Sequence, residues 1–223
     1  MRVERYRVGA GGTATVSAVL AGAAAPAQPT AVVLAHGAGA DMDHPFLSAI
    51  HTGLAAHGWP CIKFNFPYTE KKRRAPDPAP ALERCFTHVI EDVQRRLQPA
   101  QLVIGGKSLG GRMATHLAAQ GAAVAGVLLL GYPLHPPNQP QRLRSAHLGA
   151  IRVPMLFFCG TRDALCRLDL LRTTLATLTA PVQLHVIEGG DHSFNVPKSQ
   201  KRAPQDVWNE IVEVSANWLA HLP

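Results

Sequence analysis

The chain has 223 residues, 47% of them hydrophobic, which is enough for one sizeable core, so a single α/β domain can occupy residues 1–223. The formal net charge is +7. The arginines are dispersed, and neither a zinc-finger spacing nor an RNA-binding aromatic pattern accompanies them, so no nucleic-acid partner is expected. No apolar run approaches the roughly 18 residues that a membrane-spanning helix needs.

The N-terminal region contains arginines followed by the Ala-rich run 14–27, which faintly resembles a secretory signal. Glu4 and the glycines at positions 9, 11 and 12 interrupt that pattern and favour two strands joined by a Gly-rich turn. The four cysteines show neither metal-ligand nor C-x-x-C spacing, which fits a reducing compartment. We therefore expect a soluble, cytoplasmic protein that does not associate with membranes.

Hydrophobic periodicity predicts alternating strands and helices along the chain. The predicted strands are 3–8, 13–20, 31–35, 59–66, 102–105, 124–130, 154–159 and 182–187. The predicted helices are 45–57, 81–97, 109–120, 168–178 and 205–222. Residues 67–80 are predicted to form a loop, and the Pro-rich segment 133–148 has only a brief helical possibility.

Repeated strand–helix–strand units require parallel pairing with right-handed crossovers. The sequence therefore predicts an α/β fold with a doubly wound, mostly parallel sheet of about eight strands, and an active site at the carboxyl ends of those strands. The connection 133–152 is short and rich in proline, so we expect no cap domain and an open pocket.

A nucleophile motif follows the predicted strand 102–105. Gly106-Lys107-Ser108-Leu109-Gly110 has the form G-x-S-x-G, in which the serine lies on a sharp strand-to-helix turn. Side chains at the two glycine positions would collide with the neighbouring strand and helix. A phosphate-binding P-loop does not fit, because its first glycine would fall at Gln101 and residues 102–105 form a predicted strand. Ser108 is therefore the predicted nucleophile.

A serine hydroxyl needs a base to accept its proton. Among the eleven histidines, His192 follows the last predicted strand and completes the order serine, acid, histidine. Asp163 follows the strand 154–159 and is the predicted acid, which orients the imidazole. Asp169 is the second candidate acid, and Asp191 is interpreted as a residue that shapes the loop.

Small residues follow the strand 31–35 and let backbone N–H groups face a pocket. The N–H of Leu109 is the first predicted oxyanion donor, and the N–H of Ala38 is the second. His36 is interpreted as a structural residue that holds this loop. Residues 41–44 contain two aspartates and a histidine, but nothing else in the chain completes a metal site, so no metal is predicted.

These residues together resemble the α/β-hydrolase superfamily across essentially the whole chain. The motifs HGAGADMDHPF (36–46), GGKSLGGRMA (105–114), GYPLHPP (131–137), GTRD (160–163) and DHSFNVPKS (191–199) are similar to one branch. That branch contains testis-expressed protein thirty and the third subunit of the non-specific-lethal chromatin complex, and its architecture is similar to that of dienelactone hydrolases. The resemblance implies Ser108 as nucleophile, Asp163 as acid and His192 as base. Dienelactone hydrolases differ in having a cysteine nucleophile.

The predicted function is that of a serine hydrolase that acts on small-molecule carboxylic esters or thioesters through an acyl-enzyme and needs no cofactor. The alternatives are a catalytically silent binding module on the hydrolase scaffold and charge-driven association with nucleic acid. The basic cluster 71–74 is placed in a loop on the active-site side, with Lys107 and Lys198 near the rim. One interpretation is that these cations attract an anionic substrate. The alternative is that they belong to a solvated surface, as charge runs usually do. The pattern does not indicate an oligomeric state.

Overall fold

Hydrogen bonding between strands builds one sheet in the computed structural model, which describes residues 1–22 and 28–223. The described residues contain the strands β1 (Arg2–Gly9), β2 (Thr15–Gly22), β3 (Thr30–Ala35), β4 (Cys61–Phe64), β5 (Gln101–Lys107), β6 (Gly126–Leu130), β7 (Met155–Gly160) and β8 (Val182–Ile187). Their order in the sheet is β1-β2-β4-β3-β5-β6-β7-β8. The end of the Ala-rich run 14–27 lies outside the described residues.

Strand direction in this sheet follows the predicted pattern. β1 pairs antiparallel with β2, and β2 pairs antiparallel with β4. The remaining neighbours, from β4 through β3 to β8, all pair in parallel. Gly11 and Gly12 adopt φ angles of 101° and 57° in the turn between β1 and β2, which only glycine adopts without strain. The predicted doubly wound, mostly parallel sheet is confirmed.

Helices cover both faces of the sheet. They are α1 (Pro45–Ala56), α2 (Pro67–Glu70), α3 (Ala79–Leu97), α4 (Leu109–Ala119), α5 (Leu168–Leu175) and α6 (Pro204–Ala220). Successive side chains of β3 point to opposite faces, so Val33 joins the core formed with α3 and α4 whereas Val32 joins the core formed with α1 and α6. None of the helices in the described residues has the length and apolar character needed to cross a bilayer.

The connection between β6 and β7 contains a single 3₁₀ turn, Leu148–Ala150, and all of it is described. The Tyr132 hydroxyl donates a hydrogen bond to the Arg144 carbonyl over 2.6 Å, and the Arg144 N–H donates to the Leu134 carbonyl over 2.7 Å. These bonds fold the connection back on itself. The described residues therefore form no cap domain, as the sequence predicts.

The predicted loop 67–80 is wrong at its beginning, because residues 67–70 form the short helix α2. Glu70, the last residue of α2, is bound by residues of β1 and β2 and by Asn65. One carboxylate oxygen accepts the Ser17 N–H and the Asn65 side-chain amide, each over 2.9 Å, and the other accepts the Arg7 guanidinium over 2.6 Å. The helix thus depends on contacts with residues distant in sequence, which local periodicity does not register.

The hydrogen bonds to the Glu70 carboxylate predict how the free energy of unfolding depends on pH. Burial opposes ionisation of this carboxyl, but the hydrogen bonds from Arg7, Ser17 and Asn65 outweigh burial and lower the pKa of Glu70 to about 2. An unfolded glutamate has a pKa of about 4.3, so the carboxylate stabilises the fold above about pH 4.3 and loses this effect as the pH falls towards about 2. Glu70→Gln should lower the free energy of unfolding at neutral pH by about 2 kcal/mol.

Urea unfolding at a series of acidic pH values measures this effect. The variant should show a flatter decline in stability through the acid range than the parent protein. Glu91→Gln, which changes an exposed carboxylate on α3, is the matched control and should leave the curve unchanged. An acid profile of Glu70→Gln that superimposes on that of the parent would contradict this role of the Glu70 carboxylate.

Candidate active site

Ser108 lies between the end of β5 and the start of α4. Its φ and ψ angles are 50° and −109°, a conformation that costs a non-glycine residue about 1–3 kcal/mol. Its N–H donates to the Leu130 carbonyl on β6 over 3.1 Å, which fixes the turn to the sheet. The strand continues to Lys107, two residues beyond the predicted end, so the serine follows the sheet directly.

The glycines on either side of Ser108 are required by one neighbouring carbonyl. A Cβ atom at Gly106 would lie 2.2 Å from the carbonyl oxygen of Ala35, and a Cβ at Gly110 would lie 2.3 Å from the same oxygen. The predicted collision with a neighbouring strand is confirmed, because the nearest atoms to both added Cβ positions belong to Ala35 of β3. Both glycines face the end of β3, because β5 and α4 pack against it from two directions.

The structure brings together the three residues that the sequence predicts for catalysis. The Nε2 atom of His192 lies 2.9 Å from the Ser108 hydroxyl oxygen. Its Nδ1 atom lies 2.8 Å and 3.0 Å from the two carboxylate oxygens of Asp163. When Nδ1–H donates to this carboxylate, Nε2 is left as the acceptor for the hydroxyl proton.

The Asp163 carboxylate is completely buried, and it also accepts the Leu165 N–H over 2.8 Å. The other two aspartates considered for this role lie elsewhere. Asp169 is an exposed residue of α5 that pairs with Arg167. Asp191 accepts the N–H groups of its own loop and so shapes that loop, in agreement with its interpretation.

A cleft of about 230 Å³ opens at Ser108. The residues that line it include 36–40, among them Ala38, together with His192 and Ser193. In the described part of the chain, the N–H groups of Ala38 and Leu109 have no intramolecular acceptor. Leu109 is the first residue of α4, so its N–H also lies at the positive end of the helix dipole.

His36 lies at the wall of this cleft but is engaged by the fold. Its Nε2 accepts the Phe66 N–H over 3.1 Å, and its Nδ1 lies 2.9 Å from the Gly37 carbonyl oxygen. Burial lowers the pKa of His36, so the ring stays neutral at pH 7. This geometry agrees with its interpretation as a structural residue.

The described residues contain no group of three or more ligating side chains suited to a metal ion. Residues 41–44 are used otherwise. Asp43 pairs with Arg5 over 2.7 Å and with Lys63 over 3.1 Å, and the His44 ring accepts the Phe46 N–H at the start of α1. Asp41 accepts the Asp43 N–H over 2.9 Å, so each of the two aspartates and the histidine of this segment has a partner within the fold.

Lys107 is partly buried and is one of the residues that line the cleft, close to where the sequence places it. Its ammonium points inward and donates a hydrogen bond to the His192 carbonyl over 2.6 Å. Burial lowers the pKa of Lys107 to about 8, although Asp163 and Asp191 oppose this shift. The motif shows only that Lys107 precedes the nucleophile, so this contact could not be found from the sequence.

The other basic side chains that the sequence places near the active site do not line the cleft. Lys198 is an exposed residue of a 3₁₀ turn, and the basic cluster 71–74 is exposed as well. Within that cluster Arg73 pairs with Asp77. None of these side chains is among the residues that line the cleft in the described chain.

The parallel sheet, the strained serine and the serine–histidine–aspartate chain define the class of fold as that of the α/β hydrolases. A family model described as alpha/beta hydrolase domain matches residues 28–220, and the chain belongs to that family.

Solved structures give the same fold. The chain is 25% identical to a Thermus thermophilus protein, with a TM-score of 0.70 over 99% of this chain and 98% of the other. It is 19% identical to a dienelactone hydrolase from Anabaena variabilis, with a TM-score of 0.78 over 100% and 99% of the two chains. It is 16% identical to a serine hydrolase without a lid from Xanthomonas campestris, with a TM-score of 0.77 over 100% and 98%.

The contact with Ala35 predicts the effect of a single methyl group at the turn. Gly110→Ala should lower the free energy of unfolding by about 2–3 kcal/mol, because the added Cβ overlaps backbone atoms that belong to a central strand. Gly149→Ala is the control, since a Cβ there meets nothing within 4 Å. Urea unfolding measures both variants, and equal stability of the two would contradict the close approach.

Proposed function

We propose that the protein is a serine hydrolase that cleaves carboxylic esters or thioesters through an acyl-enzyme. The observation that carries this proposal is the continuous hydrogen-bonded chain from Asp163 through His192 to Ser108, which ends at an open cleft. A buried carboxylate, an oriented imidazole and a hydroxyl in that sequence form the arrangement that activates a serine.

In the first step, Ser108 attacks the ester carbonyl carbon while Nε2 of His192 accepts the hydroxyl proton. Before the transfer, Asp163 holds the neutral imidazole in the tautomer that leaves Nε2 free, and afterwards it stabilises the imidazolium. The N–H groups of Ala38 and Leu109 receive the negative charge on the tetrahedral oxygen, and each such donor is typically worth about 3–4 kcal/mol. The imidazolium then gives its proton to the departing alkoxide or thiolate.

In the second step, a water molecule attacks the acyl-enzyme carbonyl, and His192 accepts a proton from that water. The tetrahedral intermediate collapses to release the acid, and the proton returns to Ser108. Both steps use only side chains and backbone groups of the described residues, so the proposed reaction needs no cofactor.

The chemical setting supports a small-molecule substrate. Phe46 and Leu47 are apolar residues that line the cleft, and no cap domain covers it in the described part of the chain. We propose a cytoplasmic location, which the four buried, free cysteines support. The GGKSLGGRMA motif supports placement in the branch of testis-expressed protein thirty, and the lidless serine hydrolase from Xanthomonas campestris supports the reaction class.

Substitution of the three site residues tests this proposal. Ser108→Ala, His192→Ala and Asp163→Asn should each lower kcat for a p-nitrophenyl ester by about 10⁴-fold or more, because the residues act as one unit. Ser199→Ala, at an exposed serine outside the cleft, is the matched control and should keep the parent activity.

Two outcomes oppose the proposal. Near-normal turnover by Ser108→Ala would show that Ser108 is not the nucleophile. A folded parent protein that hydrolyses no ester or thioester in a broad panel would favour the binding module instead.

The size of the cleft predicts the preferred acyl chain. With a volume of about 230 Å³, it fits a short acyl group, so kcat/KM for acetate and butyrate esters should exceed that for the laurate ester by at least about tenfold. Hydrolysis of a p-nitrophenyl ester series below the micellar concentration measures this preference. Higher activity on emulsified long-chain esters would contradict an open, lidless site.

A further inference from the structure

Lys107 joins the two parts of the site that exchange a proton. It is the last residue of β5 and is followed directly by Ser108. Its ammonium donates to the backbone carbonyl of His192 over 2.6 Å, although the two residues are 85 positions apart. One side chain therefore connects the nucleophile turn with the loop that carries the base.

The Lys107 side chain is confined along its length. A Cβ atom at Gly37 would lie 3.5 Å from its Cγ, and a Cβ at Gly131 would lie 3.1 Å from its Nζ. The ammonium also lies 5.6 Å from the centroid of the Phe194 ring, within the range of a cation–π contact. The ammonium thus lies between the His192 carbonyl, the Phe194 ring and the backbone of Gly131, where a Cβ would approach it closely.

The loop that carries His192 contains a residue with a strained backbone, so it needs contacts that stabilise its conformation. Phe194 is buried and has a φ angle of 63°, which is costly for an aromatic residue. Asp191 stabilises the loop from within by accepting the N–H groups of Ser193 and Asn195, at 2.8 Å and 2.9 Å. Lys107 adds a contact to the His192 carbonyl from the central sheet.

We propose that Lys107 is a positioning residue for His192, whose charged hydrogen bond to the His192 carbonyl keeps the imidazole within reach of the Ser108 hydroxyl. This inference rests on the proposed serine hydrolase function. It concerns how the base is held, since the ammonium bonds to the backbone of His192 and its role in the reaction passes through that residue.

Because the Lys107 ammonium is titratable, its effect on the reaction rate should depend on pH. A purely structural contact would not produce this dependence. Burial lowers the pKa of Lys107 to about 8, so the side chain loses its proton well within the range of an activity assay. A charged donor makes a hydrogen bond roughly twice as strong as a neutral one. Activity should therefore decline as the pH rises through about 8.

Other titratable groups also lie near the Lys107 ammonium and the cleft. The titratable or charged groups around the ammonium and the cleft are Asp163, Asp191, His192, His36 and His44. Lys107→Met keeps all of these groups, so its pH–rate profile separates their effect on the rate from that of Lys107.

The experiment compares pH–rate profiles of the parent protein and Lys107→Met from about pH 6 to about pH 10. The parent should lose about fivefold to tenfold in kcat/KM across an alkaline limb with a midpoint near pH 8. Lys107→Met should have kcat/KM lowered by about tenfold or more at neutral pH and should lack that limb. Thermal unfolding at each pH separates activity loss from unfolding.

Lys198→Met is the matched control, because it removes an exposed lysine from the segment that follows His192 and should keep both the rate and the alkaline limb. A flat parent profile from neutral to alkaline pH overturns the inference, even if Lys107→Met does not fold. So does a folded Lys107→Met variant that keeps the parent rate and limb. Hydrolysis that survives in Ser108→Ala overturns the proposed function as well, whereas the previous outcomes overturn only the role of Lys107.

Discussion

The turn around Ser108 passes so close to the end of β3 that no side chain fits between them. Gly106 and Gly110 both face the Ala35 carbonyl at distances that a Cβ atom does not tolerate. This contact lets the chain reverse from β5 into α4 within one residue, and it accounts for the strained φ of 50° at Ser108. It also brings the loop after β3 beside the serine, where a Cβ at Gly37 would touch the Ser108 Cβ at 3.5 Å.

The sheet order then determines which loops meet this turn. β6, β7 and β8 follow β5 in sequence and in space, so their carboxyl ends lie along one edge of the sheet. Asp163 follows β7 and His192 follows β8, and together they reach Ser108 across successive parallel strands. The same parallel packing buries the carboxylate completely while the imidazole stays partly open to the cleft. The fold thus supplies a rigid frame, and short loops place the serine, the histidine and the aspartate together.

Local patterns were sufficient to predict the strands, the long helices and the order of the site residues, because buried parallel strands and amphipathic helices have distinct periodicities. They failed where structure depends on distant partners. Helix α2 forms in a Pro-rich segment because Glu70 is anchored by Arg7 and Ser17, far away in sequence. Lys107 turns inward because the His192 carbonyl and the space above Gly131 receive its ammonium. Neither effect is encoded in the residues next to these positions.

The central claim is that the fold makes Ser108 chemically reactive through His192 and Asp163. The most direct measurement is to treat the folded protein with a fluorophosphonate and to map the adduct by intact-mass and peptide mass spectrometry. The account predicts one adduct per chain, located on Ser108, and its loss when the protein is unfolded before treatment. An unmodified folded protein, or an adduct on another residue, would contradict it.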